Sequence, residues 1–107
     1  MRFINCYKYE DKEYEALKKF CNQLAKELRK RNLRTIIAVS DVWFDFGAQI
    51  RWTTITADDS EYTWQILNPT EQKEIILNNG TIPEILKEKA DYIEKHEKLK
   101  NFINSPL

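Results

Sequence analysis

A long run of β-branched and aromatic residues, interrupted by a single glycine, constrains this chain more than any other feature. The run begins at Leu33, is rich in Ile, Val, Trp and Phe, and reaches Asp45-Phe46-Gly47, after which a similar segment follows. These residue types favour a pleated, half-buried surface, and Gly47 can adopt a positive φ without strain. The pattern predicts a β-hairpin with a three-residue loop and Gly47 in the left-handed conformation.

The loop length also predicts a register. A three-residue loop makes one face of the hairpin largely apolar, with Val42, Phe44, Ile50 and Trp52 on it. On the opposite face we expect Asp41 across from Arg51, which pairs opposite charges, and Trp43 across from Gln49. A two-residue loop would instead set Asp41 against Trp52 and lose the apolar face.

The remaining elements follow from hydrophobic spacing and from turn residues. Apolar residues at steps of three and four predict helices over about 12–31, 69–78 and 82–103. Loose alternation predicts an N-terminal strand over 3–9, and the meander takes strands at about 33–46, 48–57 and 61–67. The predicted fold is therefore one α+β domain over 1–107, in the order β-α-β-β-β-α-α.

Capping signals place the helix ends. Asp11 and Thr81 are predicted N-caps, the latter in a capping box with Glu84, and Asn68 precedes Pro69 at a third helix start. Asn32 and the Asn79-Gly80 pair are expected to end the first two helices.

Composition narrows the class of protein. Hydrophobic residues make up 42% and charged residues 32% of the 107 residues, which is typical of a folded globular domain. The apolar runs are far shorter than the roughly 20 residues of a membrane span. The start of the chain has no signal-peptide pattern. With only Cys6 and Cys21, the sequence predicts a cytoplasmic protein with free thiols, and with two glycines it predicts no nucleotide phosphate loop and no cofactor.

The leading functional prediction concerns the face of the hairpin that carries Trp43. The candidate partner-binding residues are Trp43, Asp41, Asp45, Gln49 and Arg51. An exposed tryptophan ringed by charged and amide side chains has the composition of an interface hot spot. We therefore expect a non-enzymatic protein–protein interaction module, an accessory or inhibitor protein of a mobile element or bacterial regulatory pathway. The alternative is that helices cover both faces of the sheet and the aromatic residues belong to the core.

A second interpretation uses the basic end of the first helix. Its candidate nucleic-acid-binding residues are Lys26, Arg29, Lys30, Arg31 and Arg34. Residues 1–34 carry ten Lys or Arg against five acids, although the whole chain has a net charge of zero. Such a cluster suits contact with phosphates, while the alternative is that the cations complement the negative end of the helix.

Other interpretations have weaker support. Asp41 and Asp45 lie on one strand face but about 13 Å apart, whereas a divalent metal needs converging carboxylates. A metal-dependent hydrolase or nuclease is therefore the least favoured function, and we predict no catalytic residue and no metal ligand. His96 is expected to hydrogen-bond at a helix boundary rather than to activate a thiol. A homodimer formed through the edge of the first strand is a further hypothesis.

Overall fold

The computed structural model describes residues 8–45, 49–58 and 63–104 of the 107-residue chain. The elements are α1 (Asp11–Lys30), β1 (Ile36–Asp45), β2 (Gln49–Asp58), β3 (Thr63–Gln65), α2 (Pro69–Leu77) and α3 (Pro83–Asn104). The α+β class, with three helices and a three-stranded antiparallel sheet, is as predicted. Most of the strand predicted over 3–9 falls outside the described residues, and residues 8–10 are not in a strand. Across the described parts of the chain, no helix combines the length and apolarity that a membrane span requires.

The sheet has the order β1-β2-β3, with antiparallel neighbours. β1 and β2 pair over ten residues each, from Ile36 opposite Asp58 to Asp45 opposite Gln49. β3 is much shorter and pairs with Thr56, Ala57 and Asp58 at one end of β2. In the described part of the chain, the far end of the hairpin is therefore a two-stranded ribbon.

The register of the hairpin differs from the predicted one by two residues. Arg51 lies opposite Trp43 rather than Asp41, and Asp41 lies opposite Thr53. A shift of two leaves every residue on its predicted face, because side chains alternate with a period of two. The apolar pattern determines which residues share a face of the hairpin. It does not determine the register, because cross-strand pairs differ in free energy by only about 0.2–1 kcal/mol, too little to select between the two registers. The conformation predicted for Gly47 concerns residues 46–48, which lie outside the described residues.

α1 is the centre of the packing. It contacts β1, α2 and α3, and its buried stripe consists of Leu17, Phe20, Cys21, Leu24 and Leu28. On the sheet, Ile55 and Ala57 are fully buried, and Ile37 and Val39 pack against the same core. Ile36, on the other face of β1, is 66% exposed. The helices therefore cover the face that carries the odd-numbered residues of the hairpin.

The ends of α1 show one correction to the predicted caps. The N-cap is Glu10 rather than Asp11, and the backbone N–H of Glu10 donates to Glu13 Oε1 at 2.9 Å. Asp11 is instead the first helical residue, where its negative charge still complements the helix dipole. At the other end α1 stops at Lys30, close to the predicted stop at Asn32, and Asn32 has a φ of 60°, the left-handed conformation common just after a helix.

The caps of α2 agree with the sequence, and that of α3 does not. Asn68 accepts a hydrogen bond from the backbone N–H of Glu71 at 2.8 Å, with Pro69 at the first helical position. Asn79 and Gly80 both have positive φ, as expected for the end of α2. α3 begins at Pro83, so Ile82 rather than Thr81 is its cap position. Proline suits the first helical position, where its missing N–H would have no partner in the helix.

Candidate functional site

The backbone register brings the five predicted partner-binding residues together on one face of the hairpin. Trp43 is the direct cross-strand partner of Arg51, and Asp45 is the partner of Gln49. Asp41 is two residues from Trp43 on β1, and alternation therefore assigns it to the same face. We call these five residues the hairpin face; they are Asp41, Trp43, Asp45, Gln49 and Arg51.

The hairpin face continues the side of the sheet on which the helices pack. Ile37 and Val39, at preceding positions of that side of β1, pack against the core, and Thr53, opposite Asp41, is fully buried. The hairpin face therefore begins next to the core and runs toward the tip of the hairpin, away from β3. Sequence reasoning identified the residues that share this side, but it could not tell which side the helices occupy.

The basic cluster divides in the structure, because Arg31 is bound to three carboxylates. Arg31 Nη1 donates to Asp91 Oδ1 at 2.8 Å and to Glu94 Oε1 at 3.0 Å, while Nε donates to Glu27 Oε2 at 3.0 Å. The hydrogen bonds to Asp91 and Glu27 are the main reasons why the pKa of Arg31 is raised. Arg31 therefore links the end of α1 to α3. Because three carboxylates surround its guanidinium group, it is poorly suited to bind an external phosphate.

A second carboxylate of α3 holds the start of β1. Glu97 Oε2 accepts from the backbone N–H groups of Arg34 and Thr35, each at 3.2 Å, and from Thr35 Oγ1 at 2.7 Å. Arg31 and Thr35, which are close together in the sequence, thus both form hydrogen bonds with side chains of α3. The Arg34 side chain itself remains exposed.

We expect Arg31→Met to lower the melting temperature by a few degrees, because three charge-assisted hydrogen bonds are lost while the aliphatic stem is kept. Arg29→Met is the matched control, since Arg29 is exposed and forms no ion pair with the described residues. Thermal unfolding at neutral pH measures both. An equal loss in the two variants would show that the contacts of Arg31 contribute nothing specific.

The same contacts predict a pH dependence. Lys87, and then Arg31, hold the pKa of Asp91 below its usual 3.8, and Lys98, more than Arg31, does the same for Glu94 and its usual 4.5. A lowered folded-state pKa stabilises the fold above the unfolded-state value and ceases to do so as the pH falls through the folded-state value. The stability difference between the wild type and Arg31→Met should therefore be complete at pH 7 and shrink below about pH 4. Urea unfolding at both pH values measures this, and a constant difference would contradict it.

The other basic residues at the end of α1 behave differently from Arg31. Lys26, Arg29 and Lys30 are exposed and form no ion pair with the described residues. Lys18 and Lys19 are exposed on the same helix, but the cluster predicted from the sequence begins at Lys26. The helical repeat is the signal that could have found them, because side chains seven or eleven residues apart lie on one side of a helix. These intervals connect Lys19 to Lys26 and Lys18 to Arg29.

Cys21 and His96, the thiol and imidazole of the described residues, have surroundings that suggest structural roles: Cys21 lies in the hydrophobic core and His96 lies beside an aromatic ring. Burial raises the pKa of the Cys21 thiol to about 12, so at neutral pH it is protonated and a poor nucleophile. The His96 ring lies 4.9 Å from the Trp64 ring, centroid to centroid. Within residues 8–45, 49–58 and 63–104, as far as their side chains are described, no three His, Cys, Asp or Glu residues form a group suited to a metal ion.

No protein-family model, curated protein or solved structure matches this chain.

Proposed function

We propose that this chain is a non-enzymatic protein-interaction module that docks on a partner protein through the hairpin face. The observation that carries the proposal is the register of β1 and β2, which aligns Trp43 with Arg51 and Asp45 with Gln49. Tryptophan and arginine are among the residues most enriched at the centres of protein interfaces, and here they are direct cross-strand partners. An accessory or inhibitor protein of a mobile element or bacterial regulatory pathway is the kind of protein that this proposal implies.

The position of the group within the sheet supports docking. β3 pairs with β2 at Thr56–Asp58, at the opposite end of the hairpin from Trp43 and Arg51. Among the described residues, a partner approaching the ribbon would therefore meet two strands rather than three. The acidic residues of the hairpin face favour a partner with a basic surface, because complementary charge increases the association rate.

The proposal predicts that Trp43→Ala and Arg51→Ala each weaken binding strongly. Hot-spot residues of these two types cost about 2 kcal/mol or more when truncated, which is about thirtyfold in Kd. Ser40→Ala is the matched control, since Ser40 is an exposed residue of β1 on the other face of the hairpin. The partner is first isolated on the immobilised wild-type chain, and its affinity for each variant is then measured by calorimetry.

Circular dichroism of each variant separates loss of binding from loss of fold. The proposal requires that a folded Trp43→Ala or Arg51→Ala chain binds at least tenfold more weakly than Ser40→Ala. Equal affinity of all three variants would rule out the hairpin face as the docking surface.

A further inference from the structure

Between positions 18 and 30, the exposed surface of α1 carries five cations that form no ion pair with the described residues. They are Lys18, Lys19, Lys26, Arg29 and Lys30, and we call them the basic face. All five are exposed, and none forms an ion pair with the described residues. Glu15 is an acidic residue that lies beside Lys18 and Lys19. The basic face is therefore a concentration of positive charge on a chain whose net charge is zero.

Three lysines of α3, by contrast, are paired with acidic residues. Lys87 is paired with Asp91 at 2.8 Å, Lys98 with Glu94 at 2.7 Å, and Lys89 with Glu71 at 2.9 Å. Two of these ion pairs neutralise charge within α3, and the third joins α3 to α2. The five bases of the basic face form no ion pair with the described residues, although Glu15 lies one helical turn before Lys18 and Lys19.

The basic face is linear. Lys18 and Lys30 are twelve residues apart, which corresponds to about 18 Å along a helix axis. Between them, Lys19, Asn22 and Lys26 follow one another at steps of three and four, so that they lie on one side of the helix. A cleft of about 420 Å³ runs beside them and is lined by Glu15, Lys18, Lys19, Asn22, Gln23 and Lys26.

The chemistry of this surface favours phosphates over a protein partner. The large apolar side chains that are exposed, among the residues whose side chains are described, are Ile36, Leu77, Tyr92 and Leu99, and none of them is in α1. Protein interfaces use aromatic and apolar anchors and are depleted of lysine. Single-stranded nucleic acids are bound by stacking on aromatic rings, and the basic face has no aromatic residue. Lysine and arginine on a helix surface suit the backbone of a duplex.

We propose that the basic face binds the phosphate backbone of double-stranded nucleic acid without reading its sequence. Each strand of a duplex carries one phosphate per 3.4 Å of the duplex axis, so about 18 Å of α1 lying parallel to that axis spans roughly five of them. Five cations therefore match the charge that one strand presents. This surface is distinct from the hairpin face, so either proposal can fail without the other.

The test uses the salt dependence of binding to two short duplexes of the same sequence, one DNA and one RNA, measured by fluorescence anisotropy. If three to five phosphates are contacted, the slope of log K against log salt for the DNA duplex should be between about −2.7 and −4.5. Lys26→Gln combined with Lys30→Gln should make that slope less negative by about 1.8, since each lost contact contributes about 0.9. Glutamine is nearly as good a helix former as lysine, so α1 should persist.

The control is Lys73→Gln combined with Lys95→Gln, which removes the same charge from exposed positions of α2 and α3. It should leave the slope unchanged. Lys18→Gln combined with Arg29→Gln is a second pair from the basic face and should repeat the effect of the first. The proposal is overturned if neither duplex binds at about 50 mM salt, if the control changes the slope as much as the basic-face pairs do, or if polyglutamate binds as tightly as the duplexes.

Discussion

Gly80→Ala is expected to destabilise the chain by about 2–5 kcal/mol, although it adds a single methyl group. Gly80 follows α2 with a φ of 82°, a conformation that costs an L-residue about 1–2 kcal/mol. A Cβ at this position would also overlap the carbonyl oxygen of Ala16 and lie 3.0 Å from the Cβ of Lys19. Both obstacles belong to α1 and one is backbone, so neither can move aside without shifting the helix, which adds about 1–3 kcal/mol.

The contacts around Gly80 explain why the helix cannot simply shift. Its N–H donates to the carbonyl of Ile75 at 2.8 Å, and its carbonyl lies 3.4 Å from Gln23 Nε2 of α1. The end of α2 therefore packs directly against α1, and α1 also contacts β1 and α3. A methyl group at Gly80 would disturb the centre of the packing rather than a peripheral turn.

Asn79→Gly is the control for Gly80→Ala. Asn79 also has a positive φ, of 53°, and glycine adopts that conformation without strain. We expect Asn79→Gly to change the free energy of unfolding by less than about 1 kcal/mol. Urea unfolding measures both variants. If Gly80→Ala is as stable as the wild type, the end of α2 does not lie against α1 as described.

Phe20→Ala should cost about 3–5 kcal/mol, the usual range for truncating a fully buried phenylalanine. Phe20 is fully buried, at 0% exposure, on the stripe of α1 that faces the core. Because domains of this size have a total stability of about 5–15 kcal/mol, the variant would retain only part of it. The loss comes both from apolar area returned to water and from the cavity left behind.

Asn22→Ala, two residues further along α1, tests whether the effect depends on burial. Asn22 is exposed, and alanine is the better helix former, so this variant should be as stable as the wild type or slightly more stable. Urea unfolding compares the two. A loss below about 1 kcal/mol for Phe20→Ala would be inconsistent with a fully buried site.

The hairpin shows how far sequence reasoning can go. Alternation in residues 36–58 correctly assigned Val42, Phe44, Ile50 and Trp52 to one face. It failed for Asp41 and Arg51, because registers two residues apart present the same faces and differ only in weak cross-strand pairs. An alternating pattern therefore predicts which face of the sheet a residue lies on more reliably than it predicts the residue's cross-strand partner.

The basic cluster shows the opposite limit. Arg31 and Lys30 are neighbours in the sequence and chemically alike, yet Arg31 is bound by Asp91 and Glu94, which lie 60 and 63 residues away. Glu27, four residues before Arg31, is a local signal, whereas the carboxylates of Asp91 and Glu94 reach Arg31 only through the packing of α3 on α1. Lys18 and Lys19 are difficult to predict for a different reason, since a run of bases is more conspicuous in a sequence than a helical repeat.

The most direct test of the proposed function is site-specific photo-crosslinking through the hairpin. A photoreactive phenylalanine analogue is introduced at Trp43 in one chain and at Ser40 in another, and both are exposed to the partner isolated on the wild-type chain. Ser40 is exposed and lies on the opposite face of the same strand, so the two probes differ chiefly in the face that carries them. The proposal predicts that the partner is crosslinked from position 43 and not from position 40. Crosslinking from position 40 alone, or equally from both positions, would contradict it.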